Sequence, residues 1–438
     1  MSLMFSVSGL RGVVGKDLFP DVVQQYAAAF GDFVGGGRIV IGRDARRSGI
    51  LFRNAVIRGL HSVGCAVIDC GIVPTPTVLF TVRKLRAHGG IAITASHNPQ
   101  QWNALKFVGR GGFFLDAKQQ RAFAGRLQRG KIQHRTRTRQ DVQYTKAVDD
   151  HIDRIVRNLR VSVQYNVGVD AVDGAGSLAL PRLLEKMGCT VTRLNCRFSP
   201  VFPRKPEPTP EHIKELCQLV RKKKLDIGFA CDPDCDRLSI VDEQGIALGE
   251  ERSIVLATDY VLEKKKGTVV TNFSTTALME YITHTYGCKL YRTKVGEANV
   301  VSKMKRVNAV IGGEGNGGVI YPSVNFTRDA LIGAALTLAI MQRRNAHLST
   351  IVATYPHWYM IKQKVRAPRE HFERRKNRII RSLTGRVSLE DGVRVHSRDW
   401  WVHIRPSQTE PLIRIIGEAQ SRKQLVALIT TVRRLLGS

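Results

Sequence analysis

The stretch Tyr165–Leu194, YNVGVDAVDGAGSLALPRLLEKMGCTVTRL, carries the pattern that decides the fold. The run YNVGVD is typical of a strand, LALPRLLEKM of a helix, and TVTRL, after Gly188-Cys189, of a second strand. Glycine suits the end of a helix, where the backbone turns left-handed. The cysteine then opens the strand as a small buried residue. Such a unit predicts two parallel strands joined by a right-handed crossover.

The same pattern occurs twice more. RIVIGRD (38–44) is followed by a helical stretch through Asn54–His61 and by Gly64-Cys65, and GTVVTNFS (267–274) is followed by TALMEYITHTY and by Gly287-Cys288. Strand–helix–strand units look alike in general, but the recurring Gly-Cys favours true repetition. We therefore predict an α/β protein with three tandem similar domains, whose sheets are mixed and mainly parallel.

After Arg344 the pattern changes to short strands and two helices, which predicts a C-terminal α+β domain. The chain has 438 residues, and domains typically have roughly 100–200. We expect four domains around a central cleft, with bounds at 1–142, 143–243, 244–350 and 351–438.

The composition favours a soluble globular protein, since 43% of the residues are hydrophobic and 24% are charged. The apolar run from Ala330 to Met341 is shorter than the roughly 20 residues that a membrane-spanning helix needs. The N-terminus shows no secretory pattern. Eight cysteines occur without a CxxC pair, which favours reduced thiols. We expect a cytoplasmic protein that does not enter a membrane.

The formal net charge is +31, from 68 basic and 37 acidic residues. Such a charge predicts attraction to anions and does not bear on the fold. Between Arg121 and Gln140 the basic residues are Arg121, Arg126, Arg129, Lys131, Arg135, Arg137 and Arg139, and no acidic residue is present. Two interpretations stay open for this run: a site for nucleic acid or another polyanion, or a solvated basic surface. The run lacks interleaved aromatic residues for base stacking, which favours the second.

The first candidate catalytic residue is Ser96, in the loop after the strand IAIT at 91–94. Open α/β sheets bind ligands at the carboxyl ends of their strands. Ser96 is either a nucleophile or a serine that bonds its own turn, and the GxSxG motif of serine hydrolases is missing. His97 and Lys106 are nearby polar candidates, or ordinary loop groups.

A second loop, Cys231-Asp-Pro-Asp-Cys-Asp-Arg237, follows the strand LDIGFA. An extended loop turns Asp232, Asp234 and Asp236 toward one side, where three carboxylates require a cation. Oxygen ligands favour Mg²⁺ or a similar ion over a solvated acidic turn. We expect Cys231 and Cys235 to point in opposite directions, which makes a zinc site unfavourable.

A third loop, Gly313-Glu-Gly-Asn-Gly-Gly318, contains a literal GxGxxG. A dinucleotide site needs a helix directly after the glycines, and Pro322 prevents one here. Glu314 and Asn316 suit directed hydrogen bonds to sugar hydroxyls, although a plain glycine-rich turn fits equally well.

A fourth loop, Arg405-Pro-Ser-Gln-Thr-Glu-Pro411, precedes a strand that contains Arg414. Hydroxyls, backbone N–H groups and paired guanidinium groups suit a phosphate dianion. Arg11 lies among small residues near the N-terminus. Together the loops predict a cleft that holds a phosphorylated sugar and moves a phosphoryl group to and from Ser96.

With these residues assembled, the chain resembles the α-D-phosphohexomutase superfamily over essentially its whole length. Five motifs occur in the family's order: SVSGLRG, TASHNP, DPDCDR, GEGNGG and RPSQTEP. The resemblance implies three similar α/β domains and a C-terminal domain, carrying in turn a phosphoserine loop, a metal-binding loop, a sugar-binding loop and a phosphate-binding loop. It also implies the interconversion of a sugar 6-phosphate and 1-phosphate through a bisphosphorylated sugar.

The resemblance implies roles for individual residues. Ser96 would be the phosphoserine; Asp232, Asp234 and Asp236 would bind one Mg²⁺ together with a Ser96 phosphate oxygen. Arg237 and Arg11 would lie beside the phosphoserine, and Lys106 and His97 would be acid–base groups. Glu314 and Asn316 would bind sugar hydroxyls. The non-reacting phosphate would be held by Arg405, Ser407, Gln408, Thr409 and Arg414.

Four positions depart from the family pattern. Cys235 stands where Gly is usual, and Gly is also common where Gln408 stands, although related branches carry amides there. Asn316 and Gly318 replace the Ser and His of the usual sugar loop. The motifs are most similar to the phosphoglucosamine mutase branch, with phosphomannomutase/phosphoglucomutase as the alternative. A hexose 1,6-bisphosphate is the expected activator, a phosphosugar is the expected partner, and a monomer or homodimer is the expected state.

Overall fold

The computed structural model describes residues 3–6, 9–130, 132–135, 140–407 and 411–437. In this part of the chain, the strands form four sheets of eight, four, four and five strands that follow one another along the sequence. The first three sheets are mixed and the fourth is antiparallel, and the four-domain α/β architecture is confirmed.

The first domain contains β1 (Met4–Ser6), β2 (Gly9–Val13), α1 (Pro20–Phe33), β3 (Gly37–Arg43), α2 (Gly49–His61), β4 (Cys65–Ile72), α3 (Thr75–Lys84), β5 (Gly89–Ile93), β6 (Trp102–Gly109), β7 (Phe113–Phe114), α4 (Ala117–Arg129) and β8 (Val142–Gln143). The second contains α5 (Ala147–Leu159), β9 (Asn166–Asp170), α6 (Gly176–Lys186), β10 (Thr190–Leu194), α7 (Lys214–Lys223), β11 (Ile227–Cys231) and β12 (Leu238–Val241).

The third domain contains α8 (Glu251–Lys264), β13 (Val269–Asn272), α9 (Leu278–Thr285), β14 (Leu290–Thr293), α10 (Glu297–Arg306), β15 (Ile311–Glu314), β16 (Gly318–Ile320), α11 (Ala330–Arg344) and α12 (Leu348–Ala353). The fourth contains β17 (Tyr359–Arg366), α13 (Arg369–Ser382), β18 (Arg386–Ser388), β19 (Val393–His396), β20 (Trp400–Pro406), β21 (Leu412–Ala419) and α14 (Arg422–Leu436).

One four-strand arrangement recurs in the first three sheets, in the orders β4-β3-β5-β6, β10-β9-β11-β12 and β14-β13-β15-β16. Each time the second strand in this order pairs in parallel with both of its neighbours, and the third pairs antiparallel with the fourth. Gly64, Gly188 and Gly287 all have positive φ, as the repeated Gly-Cys pattern predicts. The internal repeat is therefore structural.

The first sheet has additional antiparallel pairs, in which β1, β2 and β7 extend it beyond β6. Strand β8 pairs with β4 at the opposite edge. The boundary expected at 142/143 falls within β8 and that at 350/351 within α12, so the exact bounds of the domains stay a prediction.

The apolar run of the third domain is a core helix. Every residue from Ala330 to Met341 in α11 is buried, and the side chain of Asp329 caps its first turn by accepting from the N–H groups of Leu331 and Ile332. Among the described residues, no helix is long and apolar enough to cross a membrane.

The fourth domain is a five-stranded sheet in the order β17-β21-β20-β19-β18, with antiparallel pairing throughout. Its apolar face packs against α13 and α14, where Phe372, Ile379, Leu425 and Val432 are buried with the strand residues. This small α+β unit agrees with the expectation from the sequence.

A buried histidine lies where the fourth domain meets the third. His403 Nδ1 lies 2.8 Å from Ser274 Oγ of the third domain, and its Nε2 lies 2.5 Å from the carbonyl oxygen of Asp391. Nε2 donates to the carbonyl, and in the neutral imidazole Nδ1 accepts from the hydroxyl. Burial, together with the charges of Arg405 and Arg394, outweighs the raising effect of Asp391 and lowers the pKa of His403 to about 4.

Acid is expected to weaken this domain contact. An unfolded histidine has a pKa near 6.5. The stabilisation that neutral His403 gives the folded protein is therefore complete above that pH and is lost as the pH falls toward 4. The loss is on the order of 2–3 kcal/mol. Urea unfolding between pH 7 and 4 measures it, and His403→Gln should flatten the dependence in this window. Identical pH profiles for the two proteins would contradict the assignment.

Candidate active site

The four loops singled out in the sequence occupy equivalent places. The serine loop (94–101), the aspartate loop (232–237) and the glycine loop (315–317) each join the third and fourth strands of the repeated unit. The C-terminal loop (407–411) joins β20 to β21. The repeated topology therefore places each of the first three loops at the carboxyl end of a parallel strand, where α/β sheets bind ligands.

The serine loop is held in a strained conformation by a buried arginine. Ser96 has φ of 50°, which is uncommon for a residue with a side chain. Its N–H donates to Thr94 Oγ1, whose hydroxyl donates to Asp44 Oδ2. Arg46 pairs with the same carboxylate at 2.9 Å. Its guanidinium also donates to four backbone carbonyls of the loop, those of Ser96, Asn98, Pro99 and Trp102.

The Ser96 hydroxyl points at the aspartate loop of the next domain. Ser96 Oγ donates to Asp232 Oδ2 at 2.7 Å, and His97 Nδ1 lies 3.4 Å from Ser96 Oγ. Burial, with the charges of Arg237 and Arg11, holds the pKa of His97 well below its usual range. The imidazole is therefore neutral and able to accept a proton.

The three aspartates converge. Asp232, Asp234 and Asp236 are almost fully buried, and each presents an oxygen within 4.8 Å of those of the others. Burial and the neighbouring charges of Asp234 and Asp236 raise the pKa of Asp232 well above its usual range. The expectation that the loop turns its carboxylates to one side is met.

These carboxylates fit a divalent cation. Asp234 Oδ1 and Asp236 Oδ1 are buried and have no hydrogen-bond partner among the described residues. Unpartnered buried carboxylate oxygens are costly, and together with Asp232 they form the hard oxygen set that Mg²⁺ prefers. Histidine and cysteine are not part of this cluster within the described residues.

Lys106 from β6 reaches the other oxygens of the cluster. Its ammonium lies 2.6 Å from Asp234 Oδ2 and 3.6 Å from Asp236 Oδ2, and Thr75 Oγ1 donates to the same Asp234 oxygen. Burial alone would lower the pKa of Lys106, but the two carboxylates outweigh it and raise the pKa. Lys106 is therefore charged, whereas His97 is neutral.

Arginines surround this centre. Arg11 donates to Asn98 Oδ1 of the serine loop. Arg237 is held by Glu207 at 2.7 Å, and its Nε lies 3.9 Å from Asp236 Oδ1. Arg328 pairs with Asp236 Oδ2 at 2.6 Å. Together with Lys106 these cations can neutralise a phosphate dianion on Ser96.

At the glycine loop, the Glu314 carboxylate already accepts hydrogen bonds from the protein, and Asn316 Oδ1 does not. Glu314 accepts from Asn272 Nδ2 and the Gly296 N–H through Oε1, and from Arg328 Nη1 through Oε2. Asn316 Oδ1 is buried and finds no hydrogen-bond partner in the described part of the chain. Of the two residues predicted to bind sugar hydroxyls, Asn316 has the open acceptor, and Glu314 has only its remaining lone pairs.

The C-terminal loop presents two arginines side by side. Arg405 and Arg414 are direct partners in the β20–β21 register. Like charges placed opposite each other in a sheet are unfavourable, and an anion between them relieves the repulsion. The Ser407 N–H donates to the carbonyl of Leu412. Gln408 and Thr409 lie outside the described residues.

The C-terminal loop connects to the rest of the site through hydrogen bonds. Asp391 lies 4.0 Å from Arg405 and accepts a hydrogen bond from the N–H of Val295. The next residue, Gly296, donates its N–H to Glu314. Lys362 also reaches the glycine loop, where it donates to the Gly315 carbonyl. The structure thus brings the serine loop into direct contact with the aspartate loop. Arg328 bridges Asp236 of the aspartate loop and Glu314, next to the glycine loop. Asp391 connects Arg405 to the segment before Gly296.

Sequence reasoning missed Arg46, Thr75 and Arg328. Their partners in the site lie 50, 159 and 92 residues away along the chain. None of the three belongs to a recognisable motif. The one local cue is that Thr327-Arg328-Asp329 comes immediately before a helix and soon after the glycine loop.

The expected orientation of the two cysteines is wrong. A Cβ on Gly176 would lie 2.6 Å from Cys231 Sγ and 3.1 Å from Cys235 Sγ, so both thiols converge on α6. Cys235 has φ of 56°, and this left-handed turn brings its side chain back to the side of Cys231. The carboxylates between them face the other way, toward Ser96.

The basic run lies apart from these loops. Arg121, Arg126 and Arg129 are exposed on α4, and Arg135 is exposed after it; Lys131, Arg137 and Arg139 lie outside the described residues. Arg126 is paired with Asp32. The polyanion hypothesis for this run stays a prediction.

Comparison with protein-family models matches four consecutive segments of the chain. Residues 2–133, 143–245 and 250–359 match the models described as phosphoglucomutase/phosphomannomutase α/β/α domains I, II and III. Residues 360–435 match the C-terminal domain of the same family.

Individual relatives match over nearly their whole length. The chain is 34% identical to a probable phosphoglucosamine mutase of Methanopyrus kandleri, covering 97% of this chain and 95% of that one. It is 34% identical to a phosphoglucomutase/phosphomannomutase of Thermococcus kodakarensis, covering 97% and 96%. A solved phosphoglucomutase/phosphomannomutase family protein from Burkholderia thailandensis superimposes with a TM-score of 0.87 at 27% identity, covering 99% and 98%.

Proposed function

The chain belongs to the α-D-phosphohexomutase superfamily and is a phosphohexomutase, and from this premise we propose that it interconverts hexosamine 6-phosphate and hexosamine 1-phosphate through a phosphoserine at Ser96. The observation that carries the proposal is the contact between Ser96 Oγ and Asp232 across two domains. It joins a strained serine to a cluster of carboxylates and cations.

The residues around Ser96 suit a reversible phosphoryl transfer. In the forward step the bond between phosphorus and Ser96 Oγ breaks, and a bond from phosphorus to a sugar hydroxyl oxygen forms. The hydroxyl proton passes to a neutral base, for which His97 is suited, and Ser96 Oγ takes a proton from a charged donor, for which Lys106 is suited. Arg11 and Arg237 hold charge on the phosphoryl oxygens.

Asp232, Asp234 and Asp236 would hold Mg²⁺, which when bound would offset the charge of the moving phosphoryl group. Family members use this ion, and the orphaned oxygens of Asp234 and Asp236 support it here. A hexose 1,6-bisphosphate would serve as activator, because it phosphorylates an empty Ser96 and leaves a monophosphate.

The non-reacting phosphate would lie between Arg405 and Arg414, with Ser407, Gln408 and Thr409 as further donors. The opposed arginines support this role. Bidentate guanidinium–phosphate pairs fix orientation as well as charge, so this loop would hold either phosphate of the substrate while the other end reacts.

An amino sugar is favoured by Asn316. Its buried Oδ1 has an open acceptor position. The ammonium group of glucosamine phosphate would donate a charge-assisted hydrogen bond to it, which is stronger than the neutral one from the hydroxyl of glucose or mannose phosphate. Relatives named as probable phosphoglucosamine mutases support the same choice. Phosphomannomutase/phosphoglucomutase activity is the alternative.

A substrate panel tests the preference. With Mg²⁺ and a catalytic amount of hexose 1,6-bisphosphate, kcat/KM for glucosamine phosphate should exceed that for N-acetylglucosamine, glucose and mannose phosphates by tenfold or more, about 1.4 kcal/mol of transition-state free energy. Asn316→Ala should reduce the ratio between glucosamine and glucose phosphates, because it removes the acceptor. Equal turnover of the hexose phosphates would show a broad phosphohexomutase and contradict the preference.

A further inference from the structure

Arg328 lies between the aspartate loop and the glycine loop and contacts both. Its Nη2 lies 2.6 Å from Asp236 Oδ2, its Nη1 lies 3.2 Å from Glu314 Oε2, and its Nε lies 3.1 Å from Glu297 Oε2. Each guanidinium nitrogen therefore has its own carboxylate. Those carboxylates come from the aspartate loop after β11, the end of β15 and the start of α10.

Glu297 fixes the orientation of the arginine. Its Oε1 accepts from the Arg328 backbone N–H at 3.0 Å and from the Thr327 hydroxyl at 2.5 Å, while its Oε2 accepts from the side chain. The side chain of Arg328 is only 12% exposed. A planar guanidinium held at its backbone and at Nε presents its other two nitrogens in fixed directions.

The arginine determines which oxygen Asp236 offers to a cation. Arg328 occupies Oδ2, and Oδ1 is the oxygen left buried without a hydrogen-bond partner among the described residues. Lys106 and Thr75 do the same for Asp234, whose Oδ1 is also left open. Groups that orient the ligands of a metal usually tune its binding.

Gly318 is required by the same arrangement. A Cβ on Gly318 would lie 2.3 Å from Arg328 Cδ and 2.7 Å from its Cγ, closer than real atoms approach. The stem of Arg328 thus occupies the space of a side chain at 318. Gly318 is one of the departures noted in the sequence. Its lack of a side chain is what makes room for Arg328.

We propose that Arg328 is a positioning residue that fixes Asp236 and Glu314 relative to each other and so couples cation binding at the aspartate loop to sugar binding at the glycine loop. The proposal rests on the proposed function, because it takes the two loops as the cation and sugar sites. Coupling between two sites is reciprocal, so each ligand tightens the other by the same factor.

Calorimetric titration of the full chain tests the coupling. The dissociation constant of Mg²⁺ is measured with and without glucosamine 6-phosphate, and that of the sugar phosphate with and without Mg²⁺. The ratio of each dissociation constant without and with the other ligand should be on the order of tenfold for the unchanged protein and fall to near one in Arg328→Met. KM for the sugar phosphate at saturating Mg²⁺ should rise about tenfold in this variant, since Glu314 loses its orientation, with a smaller change in kcat.

Two further variants separate this role from general stability. Gly318→Ala displaces the arginine stem without removing a charge, and it should abolish the coupling as Arg328→Met does. The double variant Gly318→Ala/Arg328→Ala should be no worse than Arg328→Ala alone, because alanine at 328 lacks the Cγ and Cδ atoms that a Cβ at 318 would meet. Arg344→Met, which removes an arginine paired with Asp259 at the far end of α11, should keep both coupling and KM.

The outcomes distinguish the two proposals. Full coupling in Arg328→Met or Gly318→Ala, or no coupling in the unchanged protein, overturns the role of Arg328 even if the mutase reaction is confirmed. Absent turnover of hexosamine phosphates contradicts the proposed function, and the binding titrations still decide whether Arg328 couples the two ligands.

Discussion

Replacing Ser96 by alanine is expected to lower kcat by on the order of 10⁴-fold or more, because a nucleophile that carries the transferred group has no substitute in the site. Neighbouring hydroxyls are committed elsewhere: Thr94 donates to Asp44, and Thr75 donates to Asp234. Alanine keeps the β-carbon and meets the same backbone strain at φ of 50°. The fold is therefore expected to remain, although Asp232 loses a hydrogen bond worth about 1 kcal/mol.

Two measurements accompany the rate. Mass spectrometry after incubation with hexose 1,6-bisphosphate should find one phosphoryl group on Ser96 in the unchanged protein and none in the variant. Ser62→Ala is the matched control, since the hydroxyl of this serine of the same domain donates to the Gly59 carbonyl, and the change should leave kcat unchanged. Substantial turnover by Ser96→Ala would reject the phosphoserine mechanism.

Asp234→Asn is expected to weaken the response to Mg²⁺ by more than about 100-fold, since even changes behind the metal ligands cost 10–100-fold. The substitution keeps the shape of the side chain and removes one of three buried negative charges. It also removes the charge that lies 2.6 Å from the Lys106 ammonium, which leaves Asp236 at 3.6 Å. A buried cation that loses its nearer partner is unfavourable, so the stability of the protein should fall as well.

The control for this variant is Asp242→Asn. Asp242 is a buried aspartate of the same domain, and its carboxylate accepts from the N–H groups of Gln244 and Ile246 in the turn after β12. Its substitution should lower the melting temperature without changing the Mg²⁺ concentration for half-maximal activity. If Asp234→Asn behaves in the same way, Asp234 has a structural role only.

Much of the site was predictable because its motifs are short and local. Ser96, the three aspartates and the glycine loop each follow a strand directly, and a repeated strand–helix–strand pattern implies that the ends of equivalent strands are alike. The convergence of the three carboxylates also followed from the loop sequence alone. These features depend on residues fewer than about ten positions apart, where backbone geometry determines direction.

Other features were not predictable from local pattern. Glu314 was expected to be available for sugar hydroxyls, but Asn272, Gly296 and Arg328 already donate to it. Cys231 and Cys235 were expected to diverge, and the left-handed turn at Cys235 brings them together. The partners of Glu314 lie outside its motif, and the direction of the Cys235 side chain depends on a backbone conformation that the alternation of a strand does not predict.

The sequence by itself determined the fold class, the threefold repeat and the loops that carry the chemistry, because periodicity and strand-end motifs are properties of consecutive residues. Only the tertiary structure decided which cations neutralise which carboxylates. Lys106 and Asp234 are 128 residues apart and Arg328 and Asp236 are 92 apart, so each pair joins residues of different domains. A buried charge takes the partner that the packing of domains brings within reach, and no local sequence rule encodes that distance.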